Sequence, residues 1–242
     1  MVRTPEERQS GDVATEPAEI RMRFRRLLER AVLDDEPPRE PVLGPYLTVS
    51  REAESSGAEV ARRVGEWLGW RVLGRELVQD LAHQLELEPR LLELMDETRV
   101  GWFSETLLNL LNSRLVLQGS YVSMLSRSIA LAAYDGPVVI IGRAANLVLP
   151  PEVGLRVRII APRGLRVTAL ANREGLDLRA AGDRLDKIDA NRSDFVRRHF
   201  HTDASDPHHY DLIVDTARLG IDGAADLICR ALQLRGLTEG AP

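Results

Sequence analysis

Short apolar runs alternate along this chain with longer segments whose apolar positions recur every three or four residues, the periodicities of buried strands and amphipathic helices. The runs at Tyr46–Val49, Arg71–Leu73, Val138–Ile141, Leu155–Ile160 and Leu212–Asp215 predict five strands. Because helical patterns separate them, they imply a parallel sheet covered on both faces, an α/β fold. Residues 75–134 predict a long helical insertion between the second and third strands, containing Trp102, Phe103, Tyr121 and Arg127. Aromatics at helical spacing are ordinary core residues before they are base-stacking platforms. Upstream, residues 1–16 are polar and expected to be disordered. Pro17 to about Leu33 predicts a helix with Ile20, Phe24, Leu27, Leu28 and Ala31 on one stripe and Arg21, Arg23, Arg25, Arg26 and Arg30 opposite. A basic face of this kind is first a solvated one, on a helix docked to the domain or to a partner subunit in a homo-oligomer; an acidic membrane or nucleic acid is the sharper alternative. Four prolines in DDEPPREPVLGP (34–45) then prevent regular structure. The chain thus divides into an N-terminal extension (1–45), one α/β domain (46–236) and a short tail (237–242).

The first strand runs through Glu54-Ser55-Ser56-Gly57 straight into an amphipathic helix. Such a junction binds phosphate where the first helical N–H groups lack intrahelical partners and lie at the positive end of the helix dipole. The full phosphate-loop signature adds a Lys after its last Gly and a Ser/Thr for magnesium; here Ala58 and Glu59 follow Gly57. Arginines supply the other candidates, since their forks match phosphate bidentately. Arg143 follows Gly142 at a strand end, on the carboxyl edge where α/β sheets bind ligands. Arg163, Arg166 and Arg173 follow the fourth strand, and Arg184 and Arg192 lie on the next helix. The plain alternatives are a structural salt bridge at Arg143 and an intrahelical Asp189–Arg192 pair at i, i+3. His199, His201, His208 and His209 have no cysteine partner and make a poor zinc set, and Ser126 and Ser128 lack a G-x-S-x-G context.

Composition narrows the setting. At 242 residues, 44% apolar and 29% charged, the chain suffices for one large domain with an appendage. A formal net charge of −5 gives no global attraction to nucleic acid, and none is expected as a partner. The single cysteine, Cys229, cannot form an internal disulfide, so a reducing cytoplasm is the simplest location. No apolar run of spanning length and no secretory leader is apparent, so no membrane span is expected.

Three segments in order resemble the cytidylate kinase-like family of the P-loop nucleoside monophosphate kinase group. TVSREAESSGAEVARRVGEWLGWRVLGRELV is similar to its strand, S-R-E, glycine-rich turn, helix and D-R-E-L segment. VVIIGRAANLVL (138–149) is similar to a strand ending in Gly-Arg-Gly-Ala. LRVRIIAPRGLRVTALANREGLDLRAAGDRLDKIDANRSDF with DPHHYDLIVDTARL is similar to the strand, arginine lid, D-x-x-R helix and Y-D-L-x-x-x-T strand. The resemblance covers about Tyr46 to Leu234. With the alternation above, it implies a P-loop kinase-like three-layer sandwich, strand order 2-3-1-4-5, with the helical insertion on the acceptor side and an arginine lid. It further implies ATP and Mg2+ as cofactors and a nucleoside monophosphate or similar small acceptor as partner. Arg143, Arg166 and Arg192 take the catalytic roles, and Arg51, Ser55, Ser56, Gly57 and Ala58 hold the donor phosphates. Glu52 or Glu59 holds the metal, directly or through water.

Departures from the family pattern leave two functions open. Where the family reads Gly-Ser-Gly-Gly, this chain has Glu54-Ser55-Ser56-Gly57, and the loop lysine of authentic cytidylate kinases falls on Gly57 or Ala58. Gly74 replaces the Asp before R-E-L, and Ala144 the second Gly of Gly-Arg-Gly-Ala. One function is an ATP-dependent cytidylate kinase-like phosphotransferase acting on a CMP-like acceptor. The other is a nucleotide-binding or scaffold protein that keeps the fold without turnover.

Overall fold

In the computed structural model, the described residues are Met22, 43–74, 121–134 and 136–238. Five strands, β1 (Tyr46–Arg51), β2 (Arg71–Leu73), β3 (Val138–Ile141), β4 (Gly154–Ile160) and β5 (Leu212–Asp215), form one sheet in the order β2-β3-β1-β4-β5. Every pairing is parallel, so each connection crosses over a face of the sheet. Helix α1 (Gly57–Leu68) joins β1 to β2, and α2 (Tyr121–Tyr134) leads into β3. After β3 come a one-turn helix α3 (Ala145–Val148), then β4, the hairpin α4 (Arg163–Glu174) and α5 (Leu178–Phe200), β5 and the final helix α6 (Thr216–Leu234).

The hydrophobic periodicities account for the layers. On one face, Leu47, Val49, Val139, Val157, Ile159 and Val214 meet Val60, Ala61 and Val64 of α1 and Ala224, Ala225, Ile228 and Leu232 of α6. Cys229 is buried in this core as a free thiol. Leu237 also packs there, so the ordered domain reaches just past the tail boundary drawn from the pattern. A smaller core joins the α4–α5 hairpin to the turn after β1: Ala53 sits among Val167, Leu170, Ala171, Ala181 and Leu185. This hairpin is the segment the resemblance marks as an arginine lid. Its ends are well specified: Gly175 closes α4 at φ 66°, and the Asp177 carboxylate accepts from the N–H groups of Arg179 and Ala180 at the start of α5.

The expected N-terminal helix and its arginines lie outside the described residues apart from Met22, as do Trp102 and Phe103. Of the helical insertion, α2 is described; it buries Val122, Leu125, Ile129 and Ala133. No helix among the described residues is long and apolar enough to cross a membrane.

Candidate functional site

A cleft of about 720 Å³ opens beside the carboxyl half of β1, between the sheet and α5. Ser50, Arg51 and Glu52 contribute from the end of β1, and Gly142 to Leu147, except Ala145, from the turn after β3. Arg158 projects from β4, Ile188 to Val196 line it from α5 except Ala190 and Asp194, and Ala204, His209 and Tyr210 close the back. Strand order reverses direction at β1, and ligands of open α/β sheets bind at such a switch point.

Four arginines, Arg51, Arg143, Arg158 and Arg192, face into this cleft against two carboxylates, Glu52 and Asp189. Both carboxylates already hold Arg166. Asp189 Oδ2 accepts from Arg166 Nη1 at 2.6 Å, and Glu52 Oε2 lies 3.3 Å from Arg166 Nε. Arg166 also donates to the carbonyls of Ala161 (2.9 Å) and Ala53 (3.2 Å). With Arg166 shared between the two acids from beneath, and four arginines against those two carboxylates on the lining, the charge balance of the cleft is positive. Arg192 donates to the Arg51 carbonyl at 2.9 Å, which fixes α5 to the end of β1. The Arg143 guanidinium stands 6.0 Å from the Phe195 ring centroid. Ser50 Oγ donates to Asn146 Oδ1 at 3.1 Å, and Asn146 Nδ2 reaches the His209 carbonyl at 3.5 Å.

The turn after β1 is filled by the protein's own groups. The Ala53 N–H donates to Asp189 Oδ1 at 2.8 Å, and the Glu54 carboxylate pairs with Arg173 at 2.7 Å. Ser55, only 2% exposed, donates to the carbonyls of Glu52 (2.9 Å) and Ile159 (3.4 Å) and accepts from Thr216 Oγ1 at its own carbonyl. A Cβ on Gly57 would stand 2.7 Å from Arg51 Cβ and 3.1 Å from Ile159 Cβ, so a lysine does not fit there without displacing β1 or β4. Ser56 caps α1 in the left-handed region at φ 55°, with no side-chain bond to the helix.

Of the residues expected from sequence, the structure therefore brings Arg51, Glu52, Arg143 and Arg192 together in the cleft, and not Arg166, Ser55, Ser56, Gly57, Ala58 or Glu59. Glu59 is exposed on α1, 3.8 Å from Arg62. Arg166 lies under the cleft floor because α4 turns it inward to Ala161 and Asp189. The remaining lid arginines are engaged on the hairpin: Arg163 with Asp186 at 2.7 Å, Arg173 with Glu54 and Glu174, and Arg184 with Glu174 at 2.5 Å. Arg163 holds the Asp186 carboxyl below its ordinary range by hydrogen bonding. Asp189 bonds to Ala53 and Arg166, and Arg192 donates to the Arg51 carbonyl. Sequence reading missed Arg158, Asn146, His209 and Tyr210 as cleft residues. The signal for Arg158 was available: it is the polar residue between Val157 and Ile159 on a buried strand.

For magnesium, Glu59 lies outside the cleft, and Glu52 Oε2 is occupied by Arg166 and by the Ala161 N–H at 3.2 Å. The described residues hold no group of three or more His, Cys, Asp or Glu placed to take a metal. A dedicated protein cage for the ion does not fit these residues; magnesium would arrive on the phosphates of a nucleotide. Nor does a lysine serve the cleft, because the chain contains a single lysine, Lys187, which is exposed on α5 and outside the lining.

The family model described as cytidylate kinase-like matches residues 46–218. The chain belongs to the cytidylate kinase-like family. A solved structure, that of an uncharacterized protein from Eubacterium ventriosum ATCC 27560, aligns at 18% identity and TM-score 0.60, covering 78% of this chain and 98% of that one. At that identity the likeness shows a shared fold. No curated protein matches the chain. Set against the cytidylate kinase-like pattern, the lost glycines have a definite structural outcome. Glu54, Ser56 and Ala144 stand where the pattern has Gly, and all three keep left-handed backbones, with φ of 56°, 55° and 54°. The turns of the cytidylate kinase-like fold thus persist in residues that adopt them at a cost of about 1–2 kcal/mol each.

Proposed function

We propose that this protein is a cytidylate kinase-like phosphotransferase that moves the γ-phosphoryl of ATP to a nucleoside monophosphate, CMP-like, or to a related small acceptor. The observation that carries this reading is the convergence of Arg51, Arg143, Arg158 and Arg192 from four separate elements on one cleft at the sheet's switch point. Phosphoryl transfer asks little covalent chemistry of a protein. An acceptor phosphate oxygen bonds to the γ-phosphorus, the bond to the bridging oxygen breaks, and ADP leaves. Catalysis then consists of alignment and of cations around the equatorial oxygens. In this reading Arg143 and Arg192 flank the transferred group, Arg51 stands in for the missing lysine, and α5 excludes water.

A second reading, nucleotide binding without turnover, is favoured by a specific observation. The Asp189 carboxylate occupies the Ala53 N–H, and Glu54 is held by Arg173 beside the turn where donor phosphates would lie. A coupled ADP-release assay with ATP, magnesium and a panel of nucleoside monophosphates separates the two. The phosphotransferase reading expects acceptor-dependent ADP release that falls at least about tenfold in Arg143→Gln and Arg192→Gln. Monophosphate binding in calorimetry without any release supports the second, and neither binding nor release refutes both.

A further inference from the structure

Arg156 and Arg158 lie two residues apart on β4 and so point to the same face of the sheet, opposite the buried Val157 and Ile159. Their surroundings differ. Arg156 is matched by Asp211, with Nη2 to Oδ1 at 2.7 Å and Nε to Oδ2 at 3.2 Å. Arg158 meets neutral oxygens: its Nη1 donates to the Ala204 carbonyl at 2.6 Å and to the Tyr210 hydroxyl at 3.2 Å, and its guanidinium lies 5.5 Å from the Tyr210 ring centroid. Among the described residues, no carboxylate forms an ion pair with it. Both bonds use Nη1, which leaves Nε and Nη2, the donor pair that forks onto an oxyanion, to the cleft that Arg158 lines.

The loop that anchors Arg158 is fixed by its own bonds. Tyr210 Oη donates to the Ala204 carbonyl at 2.7 Å, and Thr202 Oγ1 is 2.7 Å from His209 Nε2. The Asp203 carboxylate accepts from the Ser205 N–H and hydroxyl, and Asp206 from the His208 N–H. A guanidinium that is half buried, clamped on one nitrogen and stacked on an aromatic ring has lost rotamer freedom and hydration without gaining a counter-charge. Such a group is prepared for an anion.

We propose that Arg158, held in place by Tyr210, forms a second oxyanion subsite at the back of the cleft, with Asn146 on the same lining, taking a phosphate or carboxylate group of the acceptor. This rests on the acceptor-binding part of the function proposed above and determines specificity: an acceptor with an anionic group at that end is preferred over one without. Arg158 is held by β4 and the 204–210 loop, whereas Arg51, Arg143 and Arg192, where phosphoryl transfer is placed, come from β1, the turn after β3 and α5.

The test needs neither ATP nor turnover, so its failure is distinguishable from failure of the phosphotransferase reading. Inorganic phosphate and, in a separate arm, acetate are titrated into the full chain by calorimetry. The variants are Arg158→Gln, Arg158→Lys, Arg192→Gln and the exposed control Arg163→Gln, with melting curves for each. The expected result is phosphate or acetate binding that persists in Arg163→Gln but weakens at least about tenfold in Arg158→Gln, with Arg158→Lys intermediate because lysine keeps the charge and loses the fork. The tighter of the two anions names the group. If Arg158→Gln fails to melt cooperatively, Arg158→Lys with a native melting curve decides. Unchanged binding in Arg158→Gln, loss in Arg192→Gln alone, or no binding of either anion by the native chain overturns the proposal.

Discussion

The turn after β1 and the turn after β3 depart from the family pattern in the same way, by replacing glycine with a residue that keeps a left-handed backbone, yet they end in different electrostatic states. At the first, Asp189 takes the Ala53 N–H, Arg173 takes Glu54, and Arg166 ties Glu52 and Asp189 together from below. At the second, Arg143 at φ 55° stands in the cleft beside Arg51, close enough that a Cβ on Gly142 would lie 3.1 Å from Arg51 Nη1. One turn is a structural joint between the sheet and the α4–α5 hairpin; the other places Arg143 beside Arg51 on the cleft lining. Both turns thus keep a left-handed backbone, while the charged groups around them differ.

The contrast can be broken most forcefully at Arg166. Removing it as Arg166→Ala leaves Asp189 and Glu52 facing each other without their cation, and breaking a buried pair of this kind costs about 3 kcal/mol at the lower end of its range, because the two carboxylates retain some exposure. Thermal unfolding should fall by roughly 6–12 °C for a domain of this size. A melting point within about 2 °C of native would mean that the joint contributes little to the fold.

Next in size is the cationic end of the cleft. Replacing Arg143 with Gln should weaken CMP binding by roughly ten- to a hundredfold, the equivalent of one charge-assisted interaction, while melting barely changes. A destabilised variant with unaltered ligand affinity would instead make Arg143 a structural residue.

Acid titration reaches a third site, the Arg156–Asp211 pair at the amino end of β4 and β5. Burial pushes the Asp211 carboxyl up, but hydrogen bonds from the Arg156 side chain and N–H outweigh it and hold it below its ordinary value. A depressed carboxylate contributes stability that is present above its unfolded pKa, about 3.9, and is lost as pH falls through the folded value. Asp211→Asn should cost about 1–2 kcal/mol at pH 7 and flatten the decline in stability below about pH 4. An unchanged acid slope in the variant would assign acid sensitivity elsewhere.

The smallest effect sharpens the comparison itself. Ser56→Gly and Ala144→Gly restore the family residue at left-handed positions and should each stabilise by about 1 kcal/mol, read as a rise in melting temperature. Neither should open the turn after β1 to phosphate, because Asp189 and Glu54 remain in place.

Strand positions were legible in the sequence because Val138–Ile141 and Leu212–Asp215 are apolar runs with few alternative placements, and the structure places those strands at the same bounds; their order came from the family resemblance together with the strand–helix alternation and right-handed crossovers. Cleft-lining residues were legible where position along a strand decides them. Arg51 and Arg143 follow strand ends, and the carboxyl edge of a parallel sheet is fixed once the strands are. Arg166 was not, since whether a helical arginine turns inward to a carboxylate or outward to a ligand depends on the Asp189 partner 23 residues later. Arg158 escaped notice for the opposite reason: a polar residue in a strand reads as solvent-facing, and the 204–210 loop that encloses it comes from a distant part of the chain. Of the two positions on which the family lysine falls, Gly57 or Ala58, the crowding of Gly57 by Arg51 Cβ and Ile159 Cβ is invisible to any linear pattern.

The central claim is that the four-arginine cleft, and not the turn after β1, binds the phosphate-bearing ligand. Calorimetric titration of CMP into the native chain, Arg143→Gln and Glu54→Gln tests it most directly. The account predicts binding by the native chain, loss of at least about tenfold in Arg143→Gln, and an unchanged isotherm in Glu54→Gln, whose carboxylate is engaged by Arg173 outside the cleft lining. No binding by the native chain, or a change confined to Glu54→Gln, would contradict it.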